Sequence, residues 1–276
     1  MSRVRGCSDV HDRLSLICFL PLFFLCYYLL PARFRNAFLL AGSHGFCLLA
    51  ILPGLLAVDV AGEFLTNYSA SERESFYFKT DFHWNPRGAF AASADLAAAM
   101  QENGLLDGVV LPAAEDFAWQ DLDCPYRGDL NRRFSYLFSM QEEIPYYSIR
   151  ETSELQYYDA KDVEVPRESI WARGLQSGEE MQYNLLSTEN LGFYRICNPN
   201  ARSARRVLIL KDSMEDPMTD YWAELFSEII VIDPRSYLRE ESLPELVAEY
   251  DIDMALFLYH QNNLSEELID FLNRGE

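Results

Sequence analysis

Hydrophobic residues fall along this chain in three patterns. Val207 to Leu210, Ile229 to Ile232 and Ala255 to Tyr259 are short, almost wholly apolar runs, the signature of strands buried on both faces of a parallel sheet. Between them, Met218, Tyr221, Trp222, Leu225 and Phe226 share one helical face after Asp216-Pro217, and Leu243 to Tyr250 is amphipathic. This β-α-β-α-β order predicts a parallel sheet joined by right-handed crossovers. A second pattern, Ala89, Ala92, Leu96, Ala99 and Met100, predicts a core-facing helix from Gly88 to Met100. Asn85 would cap it, Pro86 would take its first position, and Gly104 would stop it. Ser75 to Lys79, aromatic and alternating, reads as a strand leading into that helix, and Val109 to Leu111, Phe134 to Phe138, Ile144 to Ile149, Val163 to Val165 and Phe193 to Cys197 read as further short strands.

The third pattern is confined to the N-terminus. Leu14 to Leu30 carries no charge and as a helix would span roughly 26 Å, and Ala37 to Val58 is a second uncharged run of spanning length. Residues 1–60 are therefore expected to form a membrane anchor of one or two helices, and residues 61–276 a domain outside the cytoplasm. In a two-helix hairpin Arg33 and Arg35 hold the connecting loop inside, whereas a single signal anchor would use Arg3, Arg5 and Arg13. Both layouts leave little chain before residue 81; the family that this chain resembles through residues 80–84 and 211–213 carries more sheet there, so the resemblance implies a shortened domain.

Charge narrows the choice of partners. Five arginines stand against two acids before Val58, so the remainder carries 18 basic and 41 acidic residues, a net of −23. Such a surface excludes nucleic acid as a partner, because phosphate binding needs clustered Lys and Arg. Four scattered histidines and the lack of a C-x-x-C imply no metal, and nothing implies a cofactor. Four of the six cysteines lie in or beside the apolar N-terminus. Cys124 and Cys197 are left as a pair that could close or stay free.

The candidate chemistry gathers in Thr80-Asp81-Phe82-His83-Trp84, at a junction between strand and helix. Two residues apart in extended backbone, Asp81 and His83 point the same way, so the carboxylate can fix one imidazole tautomer. Their other reading is a capping Asp beside a partly buried His. Ser213 falls at the carboxyl end of the Val207 strand, where open α/β sheets place their active sites, and reads as a nucleophile or as a helix cap. Glu215 and Asp216 set two carboxylates beside the place where an oxyanion would form. Arg132, in the turn Tyr126-Arg127-Gly128-Asp129-Leu130-Asn131-Arg132-Arg133, is a candidate substrate or oxyanion contact.

Together, Thr80-Asp81-Phe82-His83-Trp84 with Gly88, Lys211-Asp212-Ser213, and Asp233-Pro234-Arg235 resemble the DHHW family and the related alginate O-acetyltransferases of the SGNH-hydrolase class. Phe82 stands where the family motif has its first His. The resemblance implies an α/β three-layer domain with Ser213 as nucleophile, His83 as general base and Asp81 as its orienter. It implies acyl transfer to, or removal from, a cell-surface polysaccharide, with a catalytically degenerate binding or assembly protein as the alternative. Ser15 to Phe24 with Tyr27 to Asn36 resembles the opening of membrane-bound O-acyltransferases of the alginate-acetylation type, which brings such an enzyme in as an acyl-donor partner.

Overall fold

The structure, a computed structural model, describes residues 38–42, 55–135, 137, 140, 142–150, 154–170, 183, 191–260 and 266–274. The strands among them are β1 (Phe38–Gly42), β2 (Leu55–Asp59), β3 (Phe117–Tyr126), β4 (Glu142–Ile149), β5 (Gln156–Tyr158), β6 (Glu164–Val165), β7 (Phe193–Cys197), β8 (Ser203–Lys211), β9 (Phe226–Ile232) and β10 (Met254–Leu258). Eight of these form one sheet in the order β2-β1-β10-β8-β9-β7-β5-β6, and β3 pairs with β4 in a separate ribbon.

The predicted parallel sheet is corrected to a mixed one. The strands β2, β1, β10, β8 and β9 are parallel, whereas β7, β5 and β6 add on antiparallel. For β7 the cause is connection length: residues 198–202 lead from β7 past β9 to β8, too short for a crossover, so β7 runs opposite to β8 and hence to β9, which is parallel to β8.

The apolar runs are buried on both sides, and their alternation sorts them into two cores. Val207, Ile209, Ile229, Val231 and Leu256 pack with the Pro86–Glu102 and Thr219–Leu225 helices, while Leu208, Leu210, Ile230, Ile232 and Phe257 pack with Leu243–Glu249 and Glu266–Leu272. Three layers result, and the carboxyl ends of β8, β9 and β10 open onto one edge of the domain.

Several expectations need correction. Residues 38–42 and 55–59, inside the second apolar run, are neighbouring strands, with Leu39 opposite Leu256 of β10, so these residues are sheet and not a membrane helix. A fully buried parallel strand and a membrane helix share one uncharged signature, so absence of charge alone does not tell them apart. These two strands also supply the sheet that seemed lacking before Asp81. The first run, Leu14 to Leu30, lies outside the described residues, and no described helix is long and apolar enough to cross a membrane.

Ser75 to Lys79 is not a strand. A helix over Ala70–Ser75 runs up to it, and only a single antiparallel bridge, Tyr77 to Trp84, follows. Val109 to Leu111 forms no strand, Phe134 ends a helix, and residues 136 and 138 lie outside the described set. The face shared by Met218 to Phe226 is divided between a 3-10 turn, a two-turn helix and the start of β9. Cys197 is a half-buried free thiol, and burial pushes its pKa up to about 11.

Candidate active site

The loop carrying Asp81 and His83 is shaped before any chemistry is asked of it. Asn85 Oδ1 accepts from the backbone N–H groups of Arg87 and Gly88, and Asn85 Nδ2 donates to Ser75 O at 2.7 Å, so the cap also ties the helix start to the preceding turn. Asn85 N–H donates to Phe76 O at 2.8 Å and the Tyr77–Trp84 bridge closes the loop, leaving residues 78–83 as a tight excursion. Glu142 of β4 grips its upstream arm, accepting from Lys79 N–H at 2.6 Å, Thr80 N–H at 2.8 Å and the Thr80 hydroxyl. Gly128, at φ +66°, lies so close against Thr80 O that any Cβ would collide with that backbone.

Within this frame Asp81 Oδ1 accepts from His83 Nδ1 at 2.6 Å and from the His83 backbone N–H at 3.0 Å. Its other oxygen accepts from Tyr126 Oη and from the Asp129 backbone N–H, both at 2.6 Å. Burial alone would raise the Asp81 pKa, but the His83, Tyr126 and Asp129 hydrogen bonds and the charge of His83 outweigh it and bring it down to about 2. On the other side of the imidazole, His83 Nε2 lies 2.9 Å from Ser213 Oγ. Asp81, His83 and Ser213, the last of them 130 residues beyond His83, thus form one continuous line of hydrogen bonds.

Ser213 sits just past the end of β8, in a turn held from below by Asp212. One Asp212 oxygen accepts from Met214 N–H at 2.9 Å and the other from His260 N–H at 2.6 Å, while Asp212 N–H donates to Leu258 O at 3.1 Å. The turn is therefore capped by Asp212 rather than by the serine. Trp84 Nε1 donates to Met214 O at 2.8 Å and joins the two halves of the site directly.

The carboxyls of Glu215 and Asp216 are buried. Lys211, fully buried, ion-pairs with Asp216 and has Nζ 3.9 Å from Glu215 Oε2, whose partner oxygen accepts from Thr219 Oγ1 at 3.1 Å. Burial, partly offset by Lys211, holds the Glu215 carboxyl up to about 8. Burial raises the Asp216 carboxyl as well, against the charge and the hydrogen bond of Lys211, which lower it.

With this geometry in view, the chain's likeness to known proteins can be placed. Residues 53–164 match the family described as SGNH hydrolase-like domain, acetyltransferase AlgX. The chain is a mixed α/β protein with an SGNH-like fold. The Bacillus cereus PatB1 structure with a sulfonyl adduct superposes with a TM-score of 0.72 at 20% identity, covering 94% of this chain and 91% of that one. A DHHW family protein from Eubacterium siraeum gives 0.63 at 16% identity, covering 85% and 81%. Among curated protein sequences none matches.

In this SGNH-like domain, Arg132 stands apart from the aligned trio. Its exposed guanidinium pairs with Asp129, as does that of Arg133, at 2.8 Å. What this turn contributes directly is the Asp129 amide and Tyr126, which sequence reasoning did not assign. The positive-φ Gly128 was the available signal, since it marks where the backbone must approach another segment closely. Tyr183, whose ring stacks on the His83 imidazole at 3.7 Å, carried no local signal at all. No group of three or more His, Cys, Asp or Glu side chains gathers in a metal-holding arrangement among the described residues. Two open cavities, about 670 and 730 Å³, lie along the β5–β6 edge, and neither is lined by Asp81, His83 or Ser213.

Proposed function

We propose that this domain transfers acetyl groups to, or removes them from, a cell-surface polysaccharide, with Ser213 as nucleophile, His83 as general base and Asp81 as the group orienting it. The observation that carries this reading is the unbroken line from Asp81 Oδ1 through both nitrogens of His83 to Ser213 Oγ, with spacings of 2.6 and 2.9 Å. The acetyltransferase description of the matched family supports acetyl as the group moved.

Ser213 Oγ attacks the carbonyl carbon of an acetyl ester while its proton passes to His83 Nε2. The tetrahedral intermediate collapses, the ester C–O bond breaks, and His83 returns the proton to the departing oxygen. A sugar hydroxyl, or water, then attacks the acetyl-serine and yields its proton to His83, which hands it to Ser213 Oγ as the acyl–serine bond breaks. Asp81 stays ionised throughout and holds Nδ1–H toward itself, so that Nε2 is left as the base. In this reading Leu14 to Leu30 anchors the chain in the cell membrane with the domain outside, and a membrane-bound O-acyltransferase serves as acyl donor.

The purified chain should release alcohol from a chromogenic acetyl ester, and adding a polysaccharide acceptor should divert acetyl from water to sugar ester, read by mass spectrometry. A folded chain that turns over no acetyl ester yet binds polysaccharide would replace this reading with the binding-protein alternative.

A further inference from the structure

The hydrogen bond from Nδ1 to Asp81 does not by itself fix the plane of the His83 ring. Rotation about its Cβ–Cγ bond is soft and roughly two-fold, and a modest turn swings Nε2 off the line to Ser213 Oγ. Two aromatic rings bear on that freedom. Tyr183 lies 3.7 Å from the imidazole centroid with planes 14° apart, and Phe82 lies 4.0 Å away at 32°. Two rings this close and this nearly parallel to a third cannot share one of its faces without overlapping, so they occupy opposite faces. Tyr183 is braced in turn by Phe78, edge-on at 6.4 Å, and Phe82 lies beneath the Arg133 guanidinium at 5.6 Å. The Tyr183 hydroxyl is buried and has no hydrogen-bond partner among the described residues. A buried phenol that leaves its only polar atom unsatisfied is held there for its ring.

We propose that Phe82 and Tyr183 form an aromatic clamp that holds the imidazole plane on the Asp81–Ser213 line, with Tyr183 acting as a positioning residue through its ring and not its hydroxyl. The inference rests on the acyl-transfer reading for its kinetic consequence, but the clamp itself is a statement about ring order. Phe82, which replaces a histidine of the family motif, then has a use of its own: a flat apolar face against the base that brings no second titrating group.

Three variants test this: Tyr183→Phe, Tyr183→Leu and Phe82→Leu. Since misplacing a reacting group by about 1 Å can cost 10²-fold, Tyr183→Leu should lower kcat by about 10- to 100-fold with KM within about twofold. Tyr183→Phe should retain kcat within about twofold. Phe82→Leu should fall between them, because Phe82 is 40% exposed and its site tolerates change without risk to the fold. The readout independent of turnover is the downfield proton resonance of His83 Nδ1–H, assigned by its loss in His83→Gln. It should be sharp in the parent and in Tyr183→Phe, and broadened or lost in the two leucine variants. Equal damage from Tyr183→Phe and Tyr183→Leu would overturn the proposal by making the hydroxyl the active part, and so would leucine variants with the parental resonance. If the parent turns over no ester, the resonance still decides the clamp, so its failure and the failure of the acyl-transfer reading remain separate.

Discussion

Ser213→Ala should lower acyl turnover by about 10⁴-fold or more while leaving the domain folded. The expected selectivity follows from the hydroxyl's surroundings. The hydrogen bond that the structure gives Ser213 Oγ is to His83, and the cap on Met214 N–H comes from Asp212, so removal of the hydroxyl deprives no backbone group of its partner. Stability should therefore change by less than about 1 kcal/mol, as for a surface substitution away from special features. Asp81→Asn should also be severe, because an amide can donate to Nδ1 and so favour the tautomer that leaves Nε2 without a lone pair for the serine proton. It should destabilise as well, since Asp81 accepts from Tyr126, Asp129 and His83 at once and an amide has only one acceptor oxygen. The double variant should be scarcely worse in turnover than Ser213→Ala alone, because the residues act as a unit. Additive losses would mean that the serine and the aspartate do not belong to one mechanism.

Lys211→Met should destabilise the domain by about 3–5 kcal/mol, the cost of breaking a buried ion pair and stranding its partner. Asp216, fully buried, would lose the ammonium that neutralises it, next to a second carboxyl at Glu215. The same cluster sets a pH dependence whose sign can be worked out. Burial holds the Glu215 carboxyl at about 8 in the folded chain against an ordinary 4.5, so the folded state keeps a proton that the unfolded state gives up. Its contribution is complete below about 4.5, shrinks above that, and is fully lost once pH has risen through about 8. Asp220, raised by burial to about 6, acts in the same direction over a lower window. Asp81, at about 2 against 3.8, acts in the opposite one: its contribution is present above 3.8 and lost as pH falls through 2. Urea denaturation should therefore give a stability that declines from pH 5 to pH 9, and Glu215→Gln should flatten that decline. A parent whose stability rises steadily over that range would contradict the assignment of a protonated Glu215.

How far the sequence reaches is clearest residue by residue. The all-apolar runs Val207 to Leu210 and Ile229 to Ile232 read as buried strands, and both lie in strands of the sheet, with alternate side chains in the two cores. Asn85-Pro86 predicts a helix start because cap and ring constraint act within four residues, and the helix begins at Pro86. Asp81, His83 and Ser213 are legible as residue types in the right local settings, but their meeting depends on the sheet order that brings the end of β8 under the loop before the Pro86 helix. The failures have the same root. The apolar stretches of β1 and β2 carry nothing that separates buried strand from membrane helix, because a sheet interior and a lipid interior reject charge alike. Glu215 and Asp216 read from the chain as two carboxylates beside an oxyanion, because nothing local shows that the surrounding strands bury them with Lys211. Tyr126, Glu142 and Tyr183 support the site from well outside the Asp81 segment, Tyr126 already 45 residues beyond it, and no local pattern encodes a contact of that range.

If His83 activates Ser213 as a nucleophile, covalent trapping will mark that serine. After incubation with phenylmethylsulfonyl fluoride, intact-mass measurement of the parent should give one sulfonyl adduct, and peptide mapping should put it on Ser213. The rate of its formation should fall at least about 100-fold in His83→Gln, in line with the loss of a general base. A parent that stays unlabelled while folded, a label on another residue, or equal rates in the parent and in His83→Gln would contradict the account.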